Sequence, residues 1–364
     1  MPVRWTKRLI ADERYEAADV FDVNGDGHPD IVSGAFWYEG PEFKKRHKIA
    51  DIRPEGEYFD SFCAIPMDVD GDGLPDIIIG SWWGPLRWLR NPGPAGGEWP
   101  EQVIAECGSI EAVITADVDG DGRPEIIPNT PGAPLVVYKL ATDASGKGIG
   151  RFDAFTVWPE PQGHGLGWGD VNGDGRGDFV LAGGWLECPP DPLHGKWVLH
   201  RDFDFGAASV PILVEDVNRD GLPDIIVGQG HNYGLDWYEQ GKSADGSRTW
   251  KRHPIDPYSS QYHAMEWVDI DGDGEPELVT GARYRAHCGN DPGEWDDIGA
   301  YYFKWNGESF TKLIIDYGEV RKATGVGIRF ALADLRGTGR LDLVAAGKDG
   351  LYVFYNEGFA IKPD

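Results

Sequence analysis

Seven times along the chain an aspartate opens the pattern Asp-x-Asp/Asn-x-Asp-Gly-x-x-Asp/Glu, at Asp22, Asp68, Asp117, Asp170, Asp216, Asp269 and, in degenerate form, Asp334. Calcium takes six to eight hard oxygen ligands, which alternate side chains in a tight loop can supply, and a glycine at the sixth position permits the sharp turn. Positions 1, 3, 5 and 9 offer side-chain oxygens and position 7 a backbone carbonyl. The six complete copies are expected to bind up to six structural calcium ions through Asp22, Asn24, Asp26 and Asp30; Asp68, Asp70, Asp72 and Asp76; Asp117, Asp119, Asp121 and Glu125; Asp170, Asn172, Asp174 and Asp178; Asp216, Asn218, Asp220 and Asp224; and Asp269, Asp271, Asp273 and Glu277. In the seventh, Arg336 and Thr338 replace two ligands and leave Asp334 and Asp342, so no metal is expected there. An internal guanidinium paired with those two carboxylates is the expected substitute. An EF-hand is excluded, because its twelfth position needs a glutamate between helices and here it is Ser33 or Ile79 inside a strand-like run.

A second set of groups suits catalysis. Counting six residues back from each motif start gives Glu16, Phe62, Glu111, His164, Val210, His263 and Ile328, two histidines and two glutamates at one structural level. His164, His231, His263 and His287 are candidates for a catalytic divalent metal, with Glu111 or Asp291 as carboxylate ligand. The metal-free alternative has His263, His231 or Tyr284 removing a proton α to a carbonyl or carboxylate while Arg283 or Arg285 stabilises the enolate. Trp82, Trp83, Asn232, Tyr233 and Trp295 are candidates for stacking on and hydrogen-bonding a sugar.

These groups need a scaffold. The motif recurs at intervals of 46, 49, 53, 46, 53 and 65 residues, which suits a four-stranded propeller blade. Each unit is rich in Val, Ile, Trp, Tyr and Gly, with Pro-Gly and Asn-Gly turns in place of helix caps. In the second unit Cys63–Met67, Asp76–Gly80, Leu86–Arg90 and Glu98–Ala105 read as four strands. The last unit supplies three, Arg329–Ala333, Asp342–Ala346 and Leu351–Tyr355, and Val3–Ile10 at the other end of the chain is the missing fourth. The expectation is one all-β domain over residues 1–364, a seven-bladed propeller of four-stranded blades closed by the N-terminal strand, with no free sheet edge. The calcium loops then lie on one face and the candidate site on the other. The 65-residue interval comes from an insertion over Arg283–Asp297, and long loops of this kind are functional or mobile.

Composition narrows the partners. With 61 acidic against 34 basic residues the net charge is −27, which disfavours nucleic acid and anionic membrane, since both need clustered Lys and Arg. Calcium facing the loops would absorb much of that charge. Four scattered cysteines, Cys63, Cys107, Cys188 and Cys288, show no CxxC and read as small buried hydrophobes. No apolar run approaches a membrane span and Met1–Ile10 lacks a signal-peptide core, so a chain natively beginning at Met1 would be cytoplasmic; otherwise it was secreted and lost a leader.

The acidic motif resembles the FG-GAP (VCBS) repeats of integrin α-type propellers, which implies that each loop joins the first two strands of a blade and binds calcium. The stretch Gly281–Gly293 with Tyr262–Glu266 resembles the propeller part of aldos-2-ulose dehydratase-like proteins, which implies metal-assisted loss of water from an oxidised sugar, although this chain lacks their additional cupin domain. The expected activity is therefore a carbon–oxygen lyase on a keto-sugar. The alternatives are a polysaccharide lyase cleaving a uronate-containing glycan, as in seven-bladed rhamnose–glucuronate lyases, and a non-catalytic calcium-dependent carbohydrate-binding propeller. An integrin-like protein-recognition head is a further possibility and predicts a large apolar patch on the site face. A lectin would repeat its binding residues blade by blade, whereas here they concentrate in three neighbouring units.

Overall fold

The runs that follow the acidic loops are short, apolar and β-branched, such as Ile77-Ile78-Ile79 and Ile225-Ile226-Val227. A run of this kind has to be buried on both faces, which makes it an inner strand of a stack of sheets. In the computed structural model, which describes residues 2–94 and 96–359, this is what the runs become: every residue of Asp30–Ser33, Asp76–Ile79, Asp178–Leu181 and Asp224–Gly228 is buried.

Seven four-stranded antiparallel sheets form the seven blades, and no helix occurs among the described residues. Their first strands are Ala18–Phe21, Ile65–Met67, Ala112–Ala116, Leu166–Gly169, Leu213–Glu215, Tyr262–Val268 and Ala331–Ala333. In blades one to six chain order equals spatial order. In blade seven Ala331–Ala333, Asp342–Gly347 and Gly350–Phe359 are completed by Val3–Ala11, which pairs antiparallel with Gly350–Phe359 and places Lys7 opposite Phe354. The first and last segments of the chain thus close the ring, as expected. Strand limits differ slightly from the sequence reading: the outer strand of blade two starts at Glu101, and Gly350–Phe359 is longer at both ends than Leu351–Tyr355. A two-stranded hairpin, Pro54–Glu55 with Tyr58–Phe59, precedes blade two and was not foreseen.

The core lies between blades. Val32 and Trp37 of blade one pack on Ile77, Ile79 and Leu89 of blade two, and on the other flank Ile31 and Tyr38 pack on Val344 and Val353 of blade seven. Burying each such aliphatic side chain contributes about 1.5–3 kcal/mol. Side-chain amides also cross the interfaces: Asn91 Nδ2 donates to Val23 O at 2.8 Å, Gln240 Nε2 to Val171 O at 3.1 Å and Asn356 Nδ2 to Ile270 O at 2.8 Å. Each accepting carbonyl belongs to the second residue of the preceding blade's acidic loop. All four cysteines are free thiols, and burial raises that of Cys63 to about 12. No helix is long and apolar enough to cross a membrane.

Because adjacent strands run antiparallel, every acidic loop falls at one end of its blade. The segments entering the first strands and those linking second to third strands fall at the other end.

Candidate functional site

The second end gathers the site. Glu111 stands immediately before a first strand and His164 two residues before one, and His263 is the second residue of Tyr262–Val268. His231 lies between the second and third strands of blade five, while His287 and Asp291 come from the blade-six insertion. Gly230 makes the convergence possible, because a Cβ there would meet His263 Cδ2 at 3.2 Å and His164 Cε1 at 3.4 Å.

His164, His231, His263 and Glu111 each bring one ligand atom to a common centre, all within 4.8 Å of one another. His164 Nδ1 lies 2.6 Å from Ala208 O and His231 Nδ1 lies 2.7 Å from Asp291 Oδ2. A carbonyl and a carboxylate only accept, so both Nδ1 atoms carry a proton, which turns the two Nε2 atoms toward the centre. Those two Nε2 atoms are 2.8 Å apart, and Glu111 Oε1 is 3.1 Å from His263 Nε2 and 3.4 Å from His164 Nε2. Two ring nitrogens at that range share either a proton or a cation. Burial, with neighbouring positive charge, holds His231 far below the ordinary imidazole range and His263 at about 4, so both are neutral near pH 7. Three imidazole nitrogens with a carboxylate, two of them on rings oriented through hydrogen-bonded Nδ1 atoms, form a donor set that fits a divalent transition ion. His263 Nδ1 is buried without a partner.

A buried ionic layer surrounds this centre. Arg283, fully enclosed, donates through Nε to Glu16 Oε1 at 2.9 Å and through Nη1 to Glu111 Oε1 at 3.4 Å. Burial would lower its pKa, but the two carboxylates outweigh burial and hold it above the usual value. Burial likewise opposes ionisation of Glu111, and hydrogen bonds from His164 and His263 outweigh it, keeping the carboxyl well below its ordinary range. Lys348 caps the layer, 3.6 Å from Glu16 Oε2, and donates to Arg285 O at 2.6 Å.

Beside the centre lies a cavity of about 210 Å³ lined by Tyr58, Phe62, Trp82, Trp83, Glu111, Arg283 and His287. Tyr58 and Trp83 have ring centroids 5.1 Å apart, and Trp82 and Trp83 are part-exposed at its rim. His287 stacks on His231 with centroids 3.9 Å apart, and its Nδ1 lies 2.9 Å from Asp291 Oδ1. Asp291 therefore orients both rings, and the Nε2 of His287 is left for chemistry in the cavity.

The four histidines foreseen from sequence are thus brought together, as are Trp82, Trp83 and Arg283. His263, read as a base, is wholly buried and does not line the cavity. Tyr284 and Arg285 line a neighbouring cleft, where Arg285 pairs with Glu57 and sits 4.4 Å over the Trp295 ring. Tyr233 donates to Asp296 Oδ2 at 2.6 Å, and Asn232, Tyr233 and Trp295 are absent from the cavity wall. Sequence reasoning missed Tyr58 and Lys348. The former sits on a hairpin outside the repeat; the latter lies in the second-to-third-strand turn of blade seven, six residues after Asp342, the repeat position that Trp82 and Arg283 hold in blades two and six, so the repeat did signal it.

On the opposite face the loops are preorganised by their own carboxylates. Asp22 accepts the Gly25 and Gly27 N–H groups at 2.7 and 2.8 Å, and Asp170 accepts those of Gly173 and Gly175 at the same distances. The ninth residue is fully buried and closes each loop onto the sheet: Asp30 accepts from Val23 N at 2.9 Å and Gly40 N at 2.7 Å, and Asp76 from Val69 N and Asn91 N at 2.9 and 2.7 Å. A family model for the FG-GAP-like repeat matches residues 68–127 and 216–280, four of these loops with their flanking strands. The chain carries FG-GAP-like repeats. In the degenerate seventh repeat Arg336 Nη2 meets Asp342 Oδ1 at 3.1 Å, as expected, while Asp334 is instead satisfied by the Thr338 and Gly339 N–H groups at 2.9 and 2.6 Å.

No curated protein sequence matches the chain. Among solved structures, BBS1N in complex with ARL6DN is similar at 13% identity and TM-score 0.53, covering 99% of both chains. An Agrocybe aegerita lectin recognising non-reducing terminal N-acetylglucosamine is similar at 17% identity and TM-score 0.49, over 98% of this chain and 94% of that one. Rhamnogalacturonan lyase YesW is similar at 14% identity and TM-score 0.49, over 99% of this chain and 74% of that one. At such identity the likeness to BBS1N shows a shared fold alone.

Proposed function

We propose that this propeller is a carbon–oxygen lyase acting on an oxidised sugar, a keto-sugar or a uronate-containing glycan, at the His/Glu centre. The observation that carries the reading is the convergence of His164, His231, His263 and Glu111 beside a sugar-sized cavity walled by Trp82, Trp83 and His287. Those four residues would hold a divalent ion, which when bound supplies Lewis-acid polarisation of a substrate carbonyl or carboxylate.

The chain's own residues do the rest. Trp82 and Trp83 offer faces for the C–H patches of a pyranose. His287, oriented by Asp291, takes the proton α to the carbonyl on Nε2; the C–H pair becomes the new C=C bond and the β C–O bond breaks. The departing oxygen leaves as hydroxide or alkoxide and is protonated to water or alcohol. Arg283, locked between Glu16 and Glu111, holds the Glu111 carboxylate in place at the cavity wall.

The acidic loops of the other face are read as calcium sites that hold the blades' edges together. Their oxygen-rich donor set supports this, as does Asp68 Oδ1, which is buried without a hydrogen-bond partner.

Elimination creates a conjugated enone or an unsaturated uronide, so ultraviolet absorbance on keto-sugars and glucuronate oligosaccharides tests the reading directly. Turnover is expected with one of the two classes, together with its loss in His287→Ala at an unchanged melting temperature. A protein that binds glycans on an array but yields no chromophore from either class is a binding module, and the lyase reading fails.

A further inference from the structure

The six complete loops are not alike. One position on the third strand faces the ninth residue of the motif across the sheet: Tyr238 pairs with Ile225, Tyr138 with Ile126 and Phe303 with Leu278, which sets Glu239 against Asp224, Lys139 against Glu125 and Lys304 against Glu277. The same register places Glu39 against Asp30, Arg90 against Asp76 and Glu187 against Asp178. Glutamate at the ninth position occurs only in blades three and six, the two blades with lysine opposite.

That lysine sits inside the loop. Lys139 Nζ is 2.9 Å from Asp119 Oδ1, 2.7 Å from Asp121 Oδ2 and 2.9 Å from Glu125 Oε1. Lys304 Nζ is 2.7 Å from Asp271 Oδ2, 2.6 Å from Asp273 Oδ2 and 2.6 Å from Glu277 Oε1. Each ammonium spends its three protons on positions 3, 5 and 9, the side chains that would otherwise turn toward calcium. The extra methylene of Glu125 and Glu277 lets one oxygen reach the lysine while the other still accepts the Val118 or Ile270 N–H, at 2.8 and 3.1 Å.

Blades one, four and five are built the other way. Position 3 is Asn24, Asn172 or Asn218, and the opposed residue is a glutamate held by a histidine: Glu39 by His47 at 3.0 Å, Glu187 by His200 at 2.7 Å and Glu239 by His253 at 2.7 Å. Each histidine in turn stacks on a tryptophan, Trp37, Trp185 or Trp237. These loops lose an acid at position 3 and regain one from the third strand; among the described residues no lysine enters them in the manner of Lys139, and in blade four Arg176 meets one loop carboxylate, that of Asp174. In blade two Arg90, at the same strand position as Lys139 but half-exposed, pairs with Asp70 and Asp72 and not with the ninth residue, and Asp68 Oδ1 stays unpartnered.

We infer that the ammonium groups of Lys139 and Lys304 take the cation position in the repeats of blades three and six, so that these two loops are self-neutralised and only blades one, two, four and five take calcium. The inference rests on the calcium reading of the repeats and narrows it from six ions to four. A calcium ion would have to expel a lysine that already satisfies three carboxylates, and it would leave that ammonium part-buried beside a second positive charge.

The test is calcium per chain, measured by elemental analysis after chelation and equilibrium dialysis against calcium, in the wild type and in Lys139→Gln, Lys304→Gln and the double variant. Four ions in the wild type, five in each single variant and six in the double are expected, with melting in calcium confirming that the variants fold. Six ions in the wild type, unchanged by the substitutions, overturn the inference and leave the calcium reading standing. No calcium in any protein overturns both. The wild-type count needs no variant, so a substitution that fails to fold does not remove the test.

Discussion

Glu111→Gln is the most informative single change. The substitution keeps the shape of the side chain and removes one negative charge from a layer containing Arg283, Glu16, Lys348 and three histidines. Two consequences separate. Arg283 keeps its shorter bond, 2.9 Å from Nε to Glu16 Oε1, and loses only the 3.4 Å contact to Glu111. The cost to folding is therefore that of one charge-assisted hydrogen bond, about 1.5–3 kcal/mol, and not the 3–5 kcal/mol of an orphaned buried ion. Glu16→Gln, which removes the stronger partner, should cost the larger amount. Metal binding behaves oppositely. Glu111 Oε1 is the one anionic ligand atom among the four, so its loss should weaken zinc or cobalt binding by more than the 10–100-fold typical of an outer partner, while Glu16→Gln should weaken it less. Competition against a chromophoric chelator reads the affinity, and urea denaturation of the metal-free protein reads the stability. If Glu111→Gln binds zinc as tightly as the wild type, Glu111 is a structural counter-ion of Arg283 and the metal reading of the centre is wrong.

Two further outcomes follow from the fold. Asn91→Ala removes the amide that joins blade two to the Val23 carbonyl and leaves a buried acceptor unpaired; it should lower stability by about 1–3 kcal/mol, seen as a shifted urea midpoint at constant slope, and a shift within error would show that solvent replaces the tether. Burial raises the Asp349 carboxyl from 3.8 to about 6, against a hydrogen bond from Thr324. A proton held more tightly in the folded than in the unfolded chain favours folding while bound, so this contribution is full below pH 4 and is lost as pH rises through about 6. Asp349→Asn should flatten the stability profile over that window, by roughly 3 kcal/mol at most; an unchanged slope between pH 4 and 7 would refute the assignment.

Much of this architecture is written locally. A motif that closes on itself through Asx-type bonds, followed by Ile-Ile-Ile or Ile-Ile-Val, specifies a loop and a doubly buried strand wherever it occurs, and seven copies specify a wheel. The N-terminal strand could be assigned to blade seven because an open sheet edge is costly and one strand was unmatched. The ring of Glu16, Glu111, His164 and His263 was legible for the same reason, since a repeat turns sequence position into height along the propeller axis.

Groups outside the repeat were not legible. Tyr58 enters the cavity from a hairpin between blades, and His287 takes its position only through Asp291, four residues on but set by the folded insertion. Sequence equally could not rank the histidines: His263 and His287 look alike as letters, yet one is buried against Glu111 and the other faces the cavity. The loops teach the same lesson. Asp-x-Asp-x-Asp-Gly reads as an oxygen cage in every copy, and whether a metal or a lysine sits within it depends on a residue some 14 to 27 positions later, brought across the sheet by strand register. The sequence by itself determined the wheel, its number of blades and the donor types on each face. Which donors converge on one centre, and which acidic loops already hold an internal cation, was decided by tertiary structure, because Coulomb and ligand interactions depend on separations of a few ångströms that only packing sets.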